Sequence, residues 1–157
     1  MSWNRHIVVW VLVVVLLSGG RVSQGQEPAD PVIEAINSRV TQFLEGVSMG
    51  QAQTAYQEFL AGSQLLKQTE ALKALVDKTN QLETKYGRYQ AFEQVAAKRV
   101  GADLVLLRYL YKCENFPVVW YFTFYRTPKR GDPPPEDNNN WRVISVRFDT
   151  RLELLGL

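Results

Sequence analysis

Apolar residues recur at helical spacing in three successive stretches between residues 31 and 85. The first stretch follows Asp30 and Pro31, a favoured N-cap residue and the residue favoured at the first position of a helix. The spacing predicts amphipathic helices at about residues 31–50, 51–62 and 69–85. Their predicted inner faces are Ile33, Ile36, Val40, Phe43, Leu44 and Val47; Ala52, Ala55, Tyr56, Phe59 and Leu60; and Leu72, Leu75, Val76, Thr79 and Leu82.

From Tyr86 onward the chain is rich in aromatic and β-branched residues, and the apolar period shifts from about 3.6 residues toward 2. We therefore expect β-strands at about residues 87–100, 103–113, 117–127 and 141–149. The joints after the first and second strands have the length of hairpin turns, which predicts antiparallel pairing.

The third and fourth strands differ in pattern. Residues 118–126 are apolar or aromatic on both faces, which predicts a strand inside the sheet. In the fourth strand Ile144, Val146 and Phe148 alternate with polar residues and predict one buried face. Between the two strands, residues 127–140 contain three consecutive prolines and three asparagines, which predicts a projecting mobile loop.

The expected fold class is α+β, with three N-terminal helices packed on a curved antiparallel sheet of about four strands. Residues 31–157 form one predicted domain after a short polar lead-in of residues 26–30. A domain of this length buries a core without disulfides or metal. The apolar tail from residue 151 is expected to pack back on the domain or to add a short strand.

The first 25 residues predict a secretory signal peptide. A basic start at Arg5 precedes an unbroken apolar run of 11 residues, 7–17, and small residues follow it. Cleavage is expected between Gly25 and Gln26, and the protein is expected in the periplasm or outside the cell. The run is shorter than the roughly 18–20 residues of a membrane-spanning helix, so anchoring by an uncleaved leader is the alternative.

Removing the leader changes the charge balance. Two of the 18 basic residues, Arg5 and Arg21, lie in the leader, so the mature chain has 16 basic and 16 acidic residues. A neutral chain without a basic run lacks the long-range attraction that binding to nucleic acid or to an anionic membrane normally uses. We expect no nucleic-acid partner, and contact with the membrane only during export.

The residue types also limit the chemistry. The only histidine, His6, leaves with the leader, which removes the commonest general base and zinc ligand. Cys113 is the only cysteine, so it is expected to be a packed thiol rather than a disulfide partner, with a reactive or intermolecular thiol as the alternative. No cofactor motif and no metal-ligand spacing is found, so no cofactor or metal is expected.

The layout resembles secreted members of the nuclear transport factor 2-like superfamily of α+β cones. The resemblance rests on residues 50–56 after the first helix, on residues 72–86 leading into Gly87-Arg88-Tyr89, and on the late Trp141-Arg142-Val143. It implies a sheet wrapped around the long helix, with a pocket at the open end. The superfamily includes isomerases, dehydratases, polyketide cyclases, scaffolds and small domains of unassigned role, so the resemblance implies no catalytic residue.

Aromatic residues on the sheet are the first candidate site. Tyr109, Tyr111, Trp120, Tyr121 and Arg108 are the candidate lining of a pocket for a small apolar ligand, with hydroxyl groups and an arginine, Arg108 or Arg126, orienting it. The favoured interpretation is that these aromatic residues pack in the core and in cross-strand pairs.

Two further sets of residues are weaker candidates. Asp103, Glu93 and Asp149 are the carboxylates on or beside strands, and one of them beside a tyrosine could abstract a proton next to a carbonyl. The alternatives are turn positions for Asp103 and Asp149 and an ion pair across the ladder for Glu93. The tripeptide Arg130-Gly131-Asp132 matches an adhesion signal, but it is also ordinary turn chemistry.

The sequence therefore favours an exported non-catalytic domain that binds a partner protein or a small apolar ligand. An isomerase or lyase that uses a pocket carboxylate and a tyrosine is the first alternative. A structural homodimer formed through the outer sheet face is the second, because an exposed aromatic sheet face tends to associate.

Export predicts that protein recovered from the periplasm or the medium begins at Gln26. Intact-mass measurement checks this, since the leader of residues 1–25 is then missing from the mass. Full-length protein in the membrane fraction would instead support the uncleaved anchor.

Overall fold

The computed structural model of the protein describes residues 30–127 and 140–155, which form helices in the first half and one sheet in the second. The predicted leader, its cleavage site, the Arg130-Gly131-Asp132 tripeptide and most of the predicted loop lie outside the described residues. The helices are α1 (Pro31–Ser48), α2 (Ala52–Phe59), α3 (Thr69–Asn80) and α4 (Leu82–Tyr86), with 3₁₀ turns at Gln64–Lys67 and Leu152–Leu155. The strands are β1 (Tyr89–Val100), β2 (Leu104–Cys113), β3 (Val118–Arg126) and β4 (Trp141–Asp149).

The first helix begins where the sequence predicts. The Val32 N–H donates a hydrogen bond of 2.9 Å to Asp30 Oδ1, and Pro31 occupies the first turn. The other carboxylate oxygen of Asp30 lies 2.8 Å from Arg99 Nη1, near the end of β1. Burial alone would raise the pKa of Asp30, but hydrogen bonds from Arg99 and Val32 and the charge of Arg99 outweigh it and lower the pKa. One residue thus caps α1 and ties it to the sheet.

The prediction of one helix over residues 69–85 is wrong, because this segment forms two helices, α3 and α4. The Gln81 N–H bonds to the Lys78 carbonyl, three residues back instead of four, so α3 ends at Asn80 and α4 starts at Leu82. Thr79 and Leu82, on either side of this turn, are both buried. The predicted helices at 31–50 and 51–62 correspond to α1 and α2, whereas the 3₁₀ turn at Gln64–Lys67 was not expected.

The four predicted strands are confirmed as one antiparallel sheet. The strand order is β1-β2-β3-β4, so each strand pairs with its neighbour in the chain and no strand crosses over. β3 lies inside the sheet, as its two apolar faces predict, and β4 is an edge strand within the part of the chain that the structure describes. The tail turn Leu152–Leu155 contacts β3, so this part of the tail packs back and does not extend the sheet.

The predicted buried face of β4 is wrong at Ile144. Thr123 of β3 pairs with Ser145, but the next residue, Phe124, pairs with Val143, so Ile144 is an extra residue in a bulge. The bulge shifts the alternation by one position. Val143 is therefore buried, while Ile144 is 47% exposed.

Phe43 of α1 is the centre of the core. Its ring centroid lies 4.9 Å from that of Tyr56 and 4.7 Å from that of Phe59, both on α2. On the sheet side the centroid lies 5.5 Å from the Trp120 ring and 5.8 Å from the Phe122 ring. These edge-to-face and tilted contacts are favourable arrangements for aromatic pairs, so Phe43 joins the two helices to β3.

Side chains from the helical layer also reach the backbone of β4. Arg39 Nη1 of α1 donates to the Trp141 carbonyl at 2.8 Å, and the Ser63 hydroxyl donates to the Val143 carbonyl. Ser63 also caps the first 3₁₀ turn through the Leu65 N–H. These bonds hold the start of the edge strand against the helices.

The turn between α4 and β1 predicts a difference between two glycine substitutions. Gly87 has φ 86° and ψ 175°, a conformation that is essentially restricted to glycine, and an added Cβ would lie 2.9 Å from Glu114 Cβ and Asn115 Nδ2. Gly101 also has a positive φ of 62°, but an added Cβ there would meet no atom within 4 Å. We expect Gly87→Ala to lower the free energy of unfolding by about 3 kcal/mol and Gly101→Ala by about 1 kcal/mol.

Urea denaturation of both variants checks this difference. Gly101→Ala is the matched control, because it carries the backbone cost without the steric contact. Equal losses of stability in the two variants would contradict the account of Gly87.

Candidate functional site

The five predicted ligand-binding residues lie on opposite faces of the sheet. Tyr109, Tyr111 and Trp120 belong to the inner face and are part of the hydrophobic core. Arg108 and Tyr121 are register partners on β2 and β3 and belong to the outer face. The five residues therefore do not form one site, because neighbouring residues of a strand point to opposite sides.

The inner residues fill the core. Trp120 has no exposed surface and lies between Phe43, Phe122 and Phe148. The Tyr109 hydroxyl donates to Asn37 Oδ1 of α1 at 3.1 Å. Core packing, the interpretation that the sequence favours, describes these two residues.

Tyr111 and Cys113 line a cavity of about 210 Å³ between the end of α1, α4 and the first two strands. Burial raises the pKa of Tyr111, and the nearby Cys113, Tyr89 and Glu83 raise it further. Burial and the charge of Glu83 also raise the pKa of the Cys113 thiol. Both groups are held in their neutral forms, so this cavity disfavours a thiolate or phenolate nucleophile.

The three candidate carboxylates form separate ion pairs. Asp103 Oδ1 lies 2.8 Å from Arg126 Nη2, and the Arg126 side chain is only 10% exposed. Glu93 pairs with Lys112 at 2.9 Å, which is the predicted alternative for Glu93.

Asp149 pairs with Arg151 at 3.4 Å near the outer face of the sheet. It is the candidate carboxylate that interacts electrostatically with a tyrosine, Tyr121. Each of the three carboxylates is therefore matched by a cation at its own place in the fold.

An apolar concave surface lies between α3 and β4. We call it the edge groove and define it by two adjoining cavities of about 300 Å³ each. The two cavities share Leu65, Gln68 and Ile144. The first is lined by Leu60, Leu65, Gln68, Ala71, Leu72, Ala74, Leu75, Lys78, Ile144, Ser145 and Val146, and the second also by Ser63, Gln64, Tyr125, Thr127, Arg142 and Val143.

The edge groove exists because α3 and β4 do not close against each other. α3 buries Val76 and Thr79 on its inner side, but Leu72 and Leu75 remain only partly buried. On the opposite wall the bulge in β4 turns Ile144 away from the core and into the groove. The groove is thus a gap between the two layers with an apolar wall on each side.

The edge groove was not predicted from the sequence. Leu72 and Leu75 were expected on an inner face, and Ile144 on the buried face of β4. The one local signal is the pair Val143-Ile144, two consecutive β-branched residues that break the alternation of the strand and are compatible with a bulge.

The polar groups of the first cavity are few. Gln68 lies just before α3 and Lys78 in its last turn, and Ser145 faces them from β4. Lys78 follows Gln68 by ten positions, and at the helical rise per residue this places the two residues about 15 Å apart along the helix axis. Such a groove suits an elongated apolar molecule with a polar end.

Three further findings complete the description of the site. Within residues 30–127 and 140–155, no three His, Cys, Asp or Glu side chains are grouped so that they could hold a metal ion. None of the helices in this same part of the chain is long and apolar enough to cross a membrane.

Comparison with family models, with curated proteins and with solved structures finds no match to the chain.

The raised pKa of Cys113 predicts slow alkylation. We expect iodoacetamide to react more slowly with the folded protein at pH 7 than with the protein unfolded in urea, because less thiolate is present. The rate of the folded protein should reach its half-maximum at a higher pH. Cys113 is the only cysteine, so the assay reports one site. A half-maximum at lower pH than in urea would contradict the prediction.

Proposed function

We propose that the protein is an exported, non-catalytic binding domain that holds a small apolar ligand with a polar end in the edge groove. The observation that carries the proposal is the apolar gap between α3 and β4, with Ile144 of β4 turned into it by the bulge. Covering a half-exposed side chain of this size with an apolar molecule is favourable, by roughly 25 cal/mol for each Å² of apolar surface removed from water.

The packed core supports a binding site at the margin of the fold. Phe43, Phe122 and Trp120 occupy the space between the helices and the sheet. A ligand inside this layer would have to displace buried aromatic rings, whereas the edge groove is open without rearrangement. The ligand is therefore expected to lie along α3, parallel to the helix axis.

The polar groups of the groove indicate the ligand's polar end. Lys78 is the charged residue of the first cavity, so a carboxylate or sulfonate group on an otherwise apolar molecule is complementary to that end. Gln68 at the other end offers an amide. We expect an anionic amphipathic ligand to bind more tightly than its neutral analogue.

The ion pairs weigh against the isomerase or lyase alternative. A catalytic base in a pocket needs a carboxylate that is within reach of the substrate and of a tyrosine. Asp103, Glu93 and Asp149 are each paired with a cation and lie outside the edge groove. The proposal of binding without catalysis follows from this separation.

We also infer a relationship to the nuclear transport factor 2-like cones. The order of helices followed by a four-stranded antiparallel meander, and the packing of α1 on the sheet, support this inference. Export through the leader of residues 1–25 is part of the same proposal and rests on the order of basic, apolar and small residues.

Filling the groove tests the proposed site. We expect Ala74→Trp to weaken binding of 1-anilinonaphthalene-8-sulfonate, an apolar anionic fluorescent probe, at least tenfold, because the indole occupies the first cavity. Ala74 is exposed on α3 and lines that cavity, so the substitution leaves the core intact. Fluorescence titration of the mature protein gives the affinity.

Lys73→Trp is the matched control. Lys73 precedes Ala74 on the same helix and is exposed, but it does not line the groove. The control should bind the probe as the wild type does, and decanoate should displace the probe from both. Unchanged binding in Ala74→Trp, or equal losses in the two variants, would place the probe elsewhere and count against the edge groove.

A further inference from the structure

Tyr121 lies between two arginines on the outer face of the sheet. Register pairs place Arg108 of β2 and Arg147 of β4 on either side of it. The Arg147 Cζ atom is 4.5 Å from the centroid of the Tyr121 ring, and the Arg108 Cζ atom is 5.7 Å from it. Both guanidinium groups thus stack on one aromatic ring.

The hydroxyl of Tyr121 is buried without a hydrogen-bond partner among the described residues. The whole residue is only 8% exposed. A buried hydroxyl without a partner is unfavourable, and such groups in native proteins commonly mark a position where an ion, a water molecule or a ligand binds.

Three arginines interact electrostatically with Tyr121, namely Arg108, Arg147 and Arg151. Within the part of the chain that the structure describes, Asp149 is the carboxylate that does so, and it pairs with Arg151. Burial raises the pKa of Tyr121 and Asp149 raises it further, while the three arginines lower it. At neutral pH the hydroxyl therefore keeps its proton and remains a hydrogen-bond donor.

We propose that Tyr121, Arg108 and Arg147 form an anion site on the outer face that binds a small oxyanion, such as a phosphate group. The planar guanidinium of Arg147 donates two hydrogen bonds to the anion, and the Tyr121 hydroxyl donates a third. Arg147 is exposed, so an anion reaches its guanidinium group from solvent. The third hydrogen bond requires that binding uncovers the buried Tyr121 hydroxyl.

The anion site is independent of the proposed function. It lies on the outer face of the sheet, and none of its residues lines the edge groove. Loss of one site by substitution should therefore leave the other intact.

Calorimetric titration with inorganic phosphate tests the anion site. Phosphate is added to the mature protein in a chloride buffer of constant ionic strength. A parallel titration with acetate tests whether a carboxylate group binds instead. We expect Arg147→Gln to weaken phosphate binding about tenfold or more, since it removes charge-assisted hydrogen bonds. Tyr121→Phe should also weaken it, while the stability of that variant in chloride should not fall, because the lost hydroxyl had no partner.

Arg88→Gln is the control. Arg88 is an exposed arginine just before β1, which β2 separates from the strand of Tyr121, and it lines neither cavity of the edge groove. Phosphate or acetate binding that Arg147→Gln weakens and Arg88→Gln retains supports the proposal and identifies the anionic group. No binding above the chloride background, or equal effects in the two variants, would overturn it.

Discussion

The contacts of Phe43 hold the two layers of this protein together. The ring touches two residues of α2 on one side and two residues of β3 on the other, so the first two helices and the central strand share one aromatic cluster. Truncating a core phenylalanine costs about 3–5 kcal/mol, a large part of the 5–15 kcal/mol that separates a folded domain from its unfolded chain. The position of α1 on the sheet follows from this cluster.

Two ion pairs fix the ends of the elements that surround the cluster. Asp30 caps α1 and binds Arg99 at the end of β1, while Asp103 binds Arg126 at the end of β3. Arg126 is nearly buried, and the carboxylate of Asp103 offsets the cost of removing its charge from water. Asp103, Glu93 and Asp149, the possible bases named from the sequence, thus each form an ion pair within the protein. These ion pairs favour a structural role over proton transfer to a substrate.

Aromatic side chains fill the core, so the apolar cavities lie at the edge of the fold, between α3 and β4. α3 does not pack tightly on β4, and the bulge at Ile144 lines the resulting gap with apolar surface. On the other side of the sheet, the Tyr121 hydroxyl is buried without a hydrogen-bond partner among the residues that the structure describes, and Arg147 stacks on its ring. One proposed site therefore lies at the edge of the sheet, where Ile144 is left partly exposed, and the other lies on its outer face, where the Tyr121 hydroxyl is left without a partner among the described residues.

Local patterns are enough to predict the fold class, the four strands and the first two helices. Helical and alternating periods, the Asp30-Pro31 start and the turn residues are local signals, because each depends on side chains a few positions apart. The break at Gln81 leaves Thr79 and Leu82 buried, as a continuous helix would, so the helical period does not reveal it. The bulge at Ile144 depends on the pairing of β4 with β3, which buries Val143 instead. Only the tertiary structure separated Tyr121 and Arg108 from Tyr109, Tyr111 and Trp120. The sequence shows which residues are aromatic, but strand pairing determines which of them meet and on which face.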